Sequence, residues 1–156
     1  FFVFHSTVEH RELIHNLLIK ESFKNCDVTS NEKLKSYLLK ESIFALAKSG
    51  TVSLEICNLK VPSIIIYKIN SINFFIVKSL AKVKYANIVN IAADEEIIPE
   101  LLQSKCNPKN IFNTVDALLL NKESIKKQIH MTQKIIDNFR TNKSSEIATS
   151  VLINNL

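Results

Sequence analysis

The sequence predicts an α/β fold, a Rossmann-like parallel sheet with crossover helices followed by a C-terminal helical tail. Apolar runs of strand length alternate with amphipathic stretches of helix length as far as residue 107, the pattern of successive βαβ units, and from Pro108 onward only helical spacing remains. A single glycine, Gly50, stands between a run that reads as strand and a segment that reads as helix. Ordinary usage of about 7% would place roughly ten or eleven glycines in a chain of this length. A backbone requirement at Gly50 is therefore expected, either a positive φ or the close approach of a ligand to a helix N-terminus.

Taken in order, Phe1 to His5 read as a strand, and Val8 to Ile19 as a helix with Thr7 as N-cap and Leu13, Leu17 and Leu18 on one side. Asp27 to Ser30 form a short strand, Asn31 to Lys40 a helix spaced by Leu34, Tyr37 and Leu38, and Ser42 to Ala47 the strand that runs into Gly50. Thr51 to Asn58 follow as helix. The β-branched segment Pro62 to Tyr67 suits a central parallel strand. Asn73 to Lys82 is expected to be helical, Asn87 to Val89 a short strand, and Asp94 to Ser104 a helix. Helices are then expected over Pro108 to Leu120, Ser124 to Phe139 and Ser144 to Asn155, each opened by a Pro or Ser. The expected division is 1–107 for the sheet-bearing part and 108–156 for the helices.

Composition narrows the function classes. The 156 residues, 46% hydrophobic, suffice for one core. The net charge of +5 comes from 18 lysines and two arginines, Arg11 and Arg140, and reflects compositional bias more than a polyanion-binding surface. No basic run exceeds two residues or interleaves with aromatics, so nucleic acid is not an expected partner. Cys26, Cys57 and Cys106 form no CxxC pair, which argues against disulfide and zinc frameworks and for a reduced, cytosolic setting. No apolar stretch reaches the roughly 18 to 20 residues of a membrane span, and the first residues lack a charged signal-peptide start. A chain opening with Phe in a buried-type strand reads as the inside of a longer protein.

The strongest local signal is Ser49-Gly50-Thr51 with Glu55 one turn later. At the start of a helix, unpaired backbone N–H groups and the positive dipole end favour phosphate, and the Ser49 and Thr51 hydroxyls are candidate donors to it. Glu55 shares a face with Thr51 and suits the hydroxyls of a ribose. The plainer reading is a tight turn with a solvated Glu. His10 and His15 lie about 140° apart around a helix and cannot share a metal. His5 reads as a strand-end residue and His130 as a solvated helix residue. Residues 73–84 mix Phe74, Phe75 and Ile76 with Lys78, Lys82 and Lys84, which fits core packing or an interfacial membrane contact with snorkelling lysines. Without a Ser/His/Asp set, P-loop or GxGxxG, hydrolase and nicotinamide chemistry have no support.

The string Ala47 to Glu55, then Val61 to Lys68, Asn90, and Ile97 to Gln103, in this order and spacing, resembles the lipid-A-disaccharide synthase family. The resemblance covers nearly the whole chain and implies the C-terminal, UDP-sugar-binding half of a two-domain B-type glycosyltransferase fold. It implies transfer of a diacylated glucosamine from UDP to diacylglucosamine 1-phosphate with inversion, without metal or cofactor, at the cytoplasmic face of the inner membrane. It assigns Ser49, Gly50 and Thr51 to phosphate, Glu55 to ribose, and Tyr67, Lys68 and Asn90 to the donor side of the cleft. No catalytic residue is assigned within this chain, since the acceptor site and the acid–base carboxylate belong to an N-terminal half, in the same protein or in a partner chain. The alternative is a non-catalytic fragment or nucleotide-binding partner module. Three positions depart from the family pattern: Lys68 for Arg loses a bidentate fork, Lys60 stands for Gly in an expected left-handed cap, and Asp94-Glu95 for Gly-Arg reverses a charge beside the expected cleft.

Overall fold

The computed structural model describes residues 2–70, 84–141 and 153. They form two compact units, Phe1–Ser42 and Ile43–Leu156. In the first, β1 (Phe2–His5) pairs in parallel with β2 (Cys26–Thr29), Phe2 opposite Cys26 and His5 opposite Thr29. The crossover is α1 (Val8–Lys20), and α2 (Glu32–Glu41) follows β2. The Asn31 side chain accepts from the N–H groups of Lys33 and Leu34 and so starts α2. Thr7 holds the expected cap position of α1, but its hydroxyl bonds His10 Nδ1 at 2.8 Å instead of capping the backbone. The expected leucine face of α1 is not covered: no residue of this helix is buried, and Leu13 and Leu17 are exposed.

In the second unit a three-stranded parallel sheet runs in the order β3 (Ala45–Ala47), β4 (Ser63–Tyr67), β5 (Glu100–Leu102). The β-branched segment is central, as its composition predicts, and Ile64 and Ile65 are fully buried, each stabilising the fold by about 2 kcal/mol. Between β3 and β4 lies α3 (Thr51–Asn58), whose buried face is Ser53, Ile56 and Cys57. Before β5 comes α4 (Ile88–Ala93), and α5 (Pro108–Leu120) and α6 (Lys122–Thr141) pack with the same unit. Helix α6 carries Gln128 onto the start of β4: the side-chain amide accepts from the Ser63 N–H at 2.9 Å and donates to the Ser63 carbonyl at 3.0 Å, as a neighbouring strand would. Strands are thus divided between two sheets among the described residues, where one sheet was expected.

Two sequence expectations fail here. Residues 87–89 are not a strand, because Asn87 accepts from the Val89 N–H at 2.9 Å and starts α4. Residues 94–104 are not a helix. Asn90 Oδ1 takes the N–H groups of Ile97 and Ile98, both at 2.9 Å, Pro99 disfavours helical backbone at Ile98, and Ile65 to Tyr67 pair with Glu100 to Leu102. A short 3₁₀ turn, Gln103–Lys105, closes the strand. The expected helices at 73–82 and, apart from the helical Ile153, at 144–155 lie outside the described residues.

Candidate functional site

Parallel α/β sheets take ligands beyond the C-terminal ends of their strands. Here that edge carries Lys48, Ser49 and Gly50 after β3, and Tyr67 and Lys68 at the end of β4. Gly50 has φ +150° and ψ −168°, a combination essentially restricted to glycine. A Cβ built there would meet no atom of the described residues within 4 Å, so the glycine is needed for its backbone angle. Gly50 offers no side chain to cap α3, and the N–H groups of Thr51 and Val52 have no acceptor among the described residues. Gly50 and Thr51 are exposed, Glu55 is half-buried one turn along from Thr51, and Ser49 is half-buried. The turn is exposed, which suits both an anion site and a plain solvated turn.

Sequence reasoning misses part of the assembly. The Ser49 hydroxyl donates to the Ala86 carbonyl at 2.6 Å, so its proton ties the turn to the start of α4 and is not directed at a ligand. Asn90 does not line an open cleft. It is fully buried and its amide is saturated, donating to the Ile98 carbonyl at 2.7 Å and to Glu100 Oε1 at 2.8 Å while accepting the two N–H groups of Ile97 and Ile98. Glu100 receives the N–H groups of Ala86 at 2.7 Å and Asn87 at 2.9 Å. Gln103 bonds both the N–H and the carbonyl of Ile69, at 2.8 and 3.0 Å, holding the chain just beyond Lys68. Their signal in the sequence was polarity inside apolar runs: Glu100 and Gln103 flank Leu101 and Leu102, and Gln128 shares a helical face with Ile125, Thr132 and Ile136.

Glu95 borders a cavity of about 160 Å³ with Lys127 and Met131 of α6, before the start of β5, so its charge is not beside the Gly50 turn. Asp94 pairs with Lys84 at 3.2 Å, both exposed. His5 lies 3.5 Å from Glu32 in the first unit. Cys57 is buried, and desolvation, only partly offset by hydrogen bonds from its backbone and Thr132, pushes its thiol up to about 11. Among the described residues no group of three His, Cys, Asp or Glu is placed to hold a metal, and no helix is long and apolar enough to cross a membrane.

The architecture is that of α/β proteins with parallel strands and a turn-to-helix element at the ligand-bearing edge of the sheet. More particularly, the chain belongs to the lipid-A-disaccharide synthetase family, which it matches over residues 1–153. It is 40% identical over 144 residues to the lipid-A-disaccharide synthase of Rickettsia felis, covering 88% of this chain and 36% of that protein. The Rickettsia conorii protein of the same name is 41% identical over 134 residues, 83% of this chain and 30% of the relative. For the Rickettsia bellii protein the values are 38% over 147 residues, 92% and 38%. The chain thus spans about a third of the length of these relatives.

Proposed function

We propose that this chain is the UDP-sugar-binding part of a glycosyltransferase that joins UDP-2,3-diacylglucosamine to 2,3-diacylglucosamine 1-phosphate, giving lipid A disaccharide and UDP. The exposed N-terminus of α3, uncapped among the described residues and behind a glycine-only turn, carries the reading, because it offers backbone donors and a positive dipole end to a diphosphate. Stabilising that group as charge develops on the leaving UDP is the contribution such an element makes to transfer. Gly50 and Thr51 hold phosphate, Glu55 the ribose, and Tyr67 and Lys68 the donor side, while Ser49 and Asn90 shape the site from behind. The acceptor site and the base acting on the acceptor hydroxyl come from the remaining sequence or from a partner chain, since inverting transfer places them opposite the leaving group. A peripheral contact with the cytoplasmic face of the inner membrane through residues 73–84 completes the proposal.

Calorimetry with UDP and ADP tests donor recognition. UDP is expected to bind more tightly than ADP, and equal affinity would reject the assignment. No binding at millimolar nucleotide would favour the alternative of a non-catalytic module. Sugar transfer is expected only when the remaining part is supplied, and turnover by the 156-residue chain alone would refute the half-enzyme reading.

A further inference from the structure

Lys48 is absent from every assignment made above, although it occupies the same edge. Its ammonium lies 5.0 Å from the centroid of the Tyr67 ring, which joins the C-terminal ends of β3 and β4. Neither Lys48 nor Lys68 forms an ion pair with a carboxylate among the described residues, whereas Lys35, Lys84 and Lys126 each do. Lysine is usually mobile on its four-carbon stem. A cation over an aromatic face is restrained without losing its charge, since the ring quadrupole attracts it and supplies no neutralising anion. This restrained charge stands two residues before Gly50 and three before Thr51, whose N–H has no acceptor among the described residues.

We propose that Lys48, held over Tyr67, is a specificity-determining residue that reads the diphosphate of the donor nucleotide. The inference rests on the donor-site reading above and adds a residue and a device to it. Lys48 supplies positive charge from the β3 side, Tyr67 fixes where that charge stands, and Lys68 contributes from β4. A pair of point charges then stands in for the guanidinium fork that the family resemblance places at position 68.

The test is calorimetric titration of UDP and of uridine into the longest protein encoded in frame with this chain, comparing wild type, Lys48→Gln, Tyr67→Phe, Tyr67→Leu and the Lys48→Gln/Tyr67→Leu pair. Lys48→Gln is expected to weaken UDP about three- to fivefold, the scale of one exposed charge contact, and to leave uridine unchanged. Tyr67→Phe keeps the ring and the Lys48 effect. In the Tyr67→Leu background, removing Lys48 is expected to change UDP affinity less than in wild type, a non-additivity that a purely structural role would not produce. UDP binding by wild type with no loss in Lys48→Gln, or equal losses for UDP and uridine, overturns the role of Lys48 and leaves the donor site standing. Additive effects of the two changes overturn the role of Tyr67. Failure of wild type to bind UDP overturns the donor-site reading and this inference with it.

Discussion

The turn at Gly50 and the loop leading into β5 are joined by a hydrogen bond from Ser49 to Ala86, yet they treat polar groups in opposite ways. Around Asn90 the buried amide meets Glu100 and the backbone of Ile97 and Ile98, and Glu100 also takes the N–H groups of Ala86 and Asn87. Asn87 Nδ2 is the one buried side-chain donor without a partner among the described residues. At Gly50 the N–H groups of Thr51 and Val52 have no acceptor among the described residues, and both residues are exposed. An unmet donor is costly when buried and nearly free when hydrated. The loop is therefore architecture, and the turn is where a ligand gains by displacing water.

The two ends of α3 make the same point about backbone. At its C-terminus Lys60 has φ +61° and closes a Schellman motif, with Lys60 N–H to the Cys57 carbonyl at 2.9 Å and Val61 N–H to the Ile56 carbonyl at 3.2 Å. Ser22 and Asp94 end α1 and α4 with the same bonding pattern at φ +57° and +48°. Positions 60 and 94 are those where the family resemblance expects glycine, so both departures fall at left-handed caps. A left-handed helical residue other than glycine costs roughly 1–2 kcal/mol, which the fold tolerates repeatedly. The conformation of Gly50 has no such tolerance, which accounts for where the lone glycine remains.

The largest expected effect breaks the closed side of this comparison. Asn90→Ala strands the N–H groups of Ile97 and Ile98 and the Ile98 carbonyl, and should lower unfolding free energy by about 3–5 kcal/mol, measured by denaturant titration. Gly50→Ala meets no steric obstacle but is strained, so about 1–3 kcal/mol is expected, together with a loss of UDP affinity out of proportion to the stability change. A variant that kept wild-type stability and affinity would dissolve the contrast between the two regions. At the other end of the helix, Lys60→Gly should raise stability by about 0.5–1 kcal/mol, the relieved strain being partly offset by the added freedom of the unfolded chain. Unchanged or lower stability would show that Lys60 is not strained.

A pH-dependent effect, silent at neutral pH, concerns Cys57, between those two ends. Because its folded pKa is raised from 9.0 to about 11, folding favours the neutral thiol. Its contribution is fully present below pH 9 and declines as pH rises toward 11. The stability difference between wild type and Cys57→Ala should therefore narrow across that window, and a difference independent of pH would contradict the burial of this thiol.

Where local chemistry suffices, the sequence alone determined the outcome: α3 runs from Thr51 to Asn58 after the lone glycine, α5 starts at Pro108 behind the Asn107 cap, and the β-branched run is the central strand. The location of the candidate turn was legible for the same reason, since a glycine-only conformation leaves its mark on one position. Only tertiary structure decided the segment from Asn87 to Ser104. Its apolar spacing suits a helix as well as a strand, and the choice was made by partners distant in sequence, the Asn90 amide and β4. The same dependence hid the Lys48–Tyr67 contact and turned Ser49 and Asn90 inward, because a side chain's partner is set by which strands lie side by side, and residue type carries no record of that.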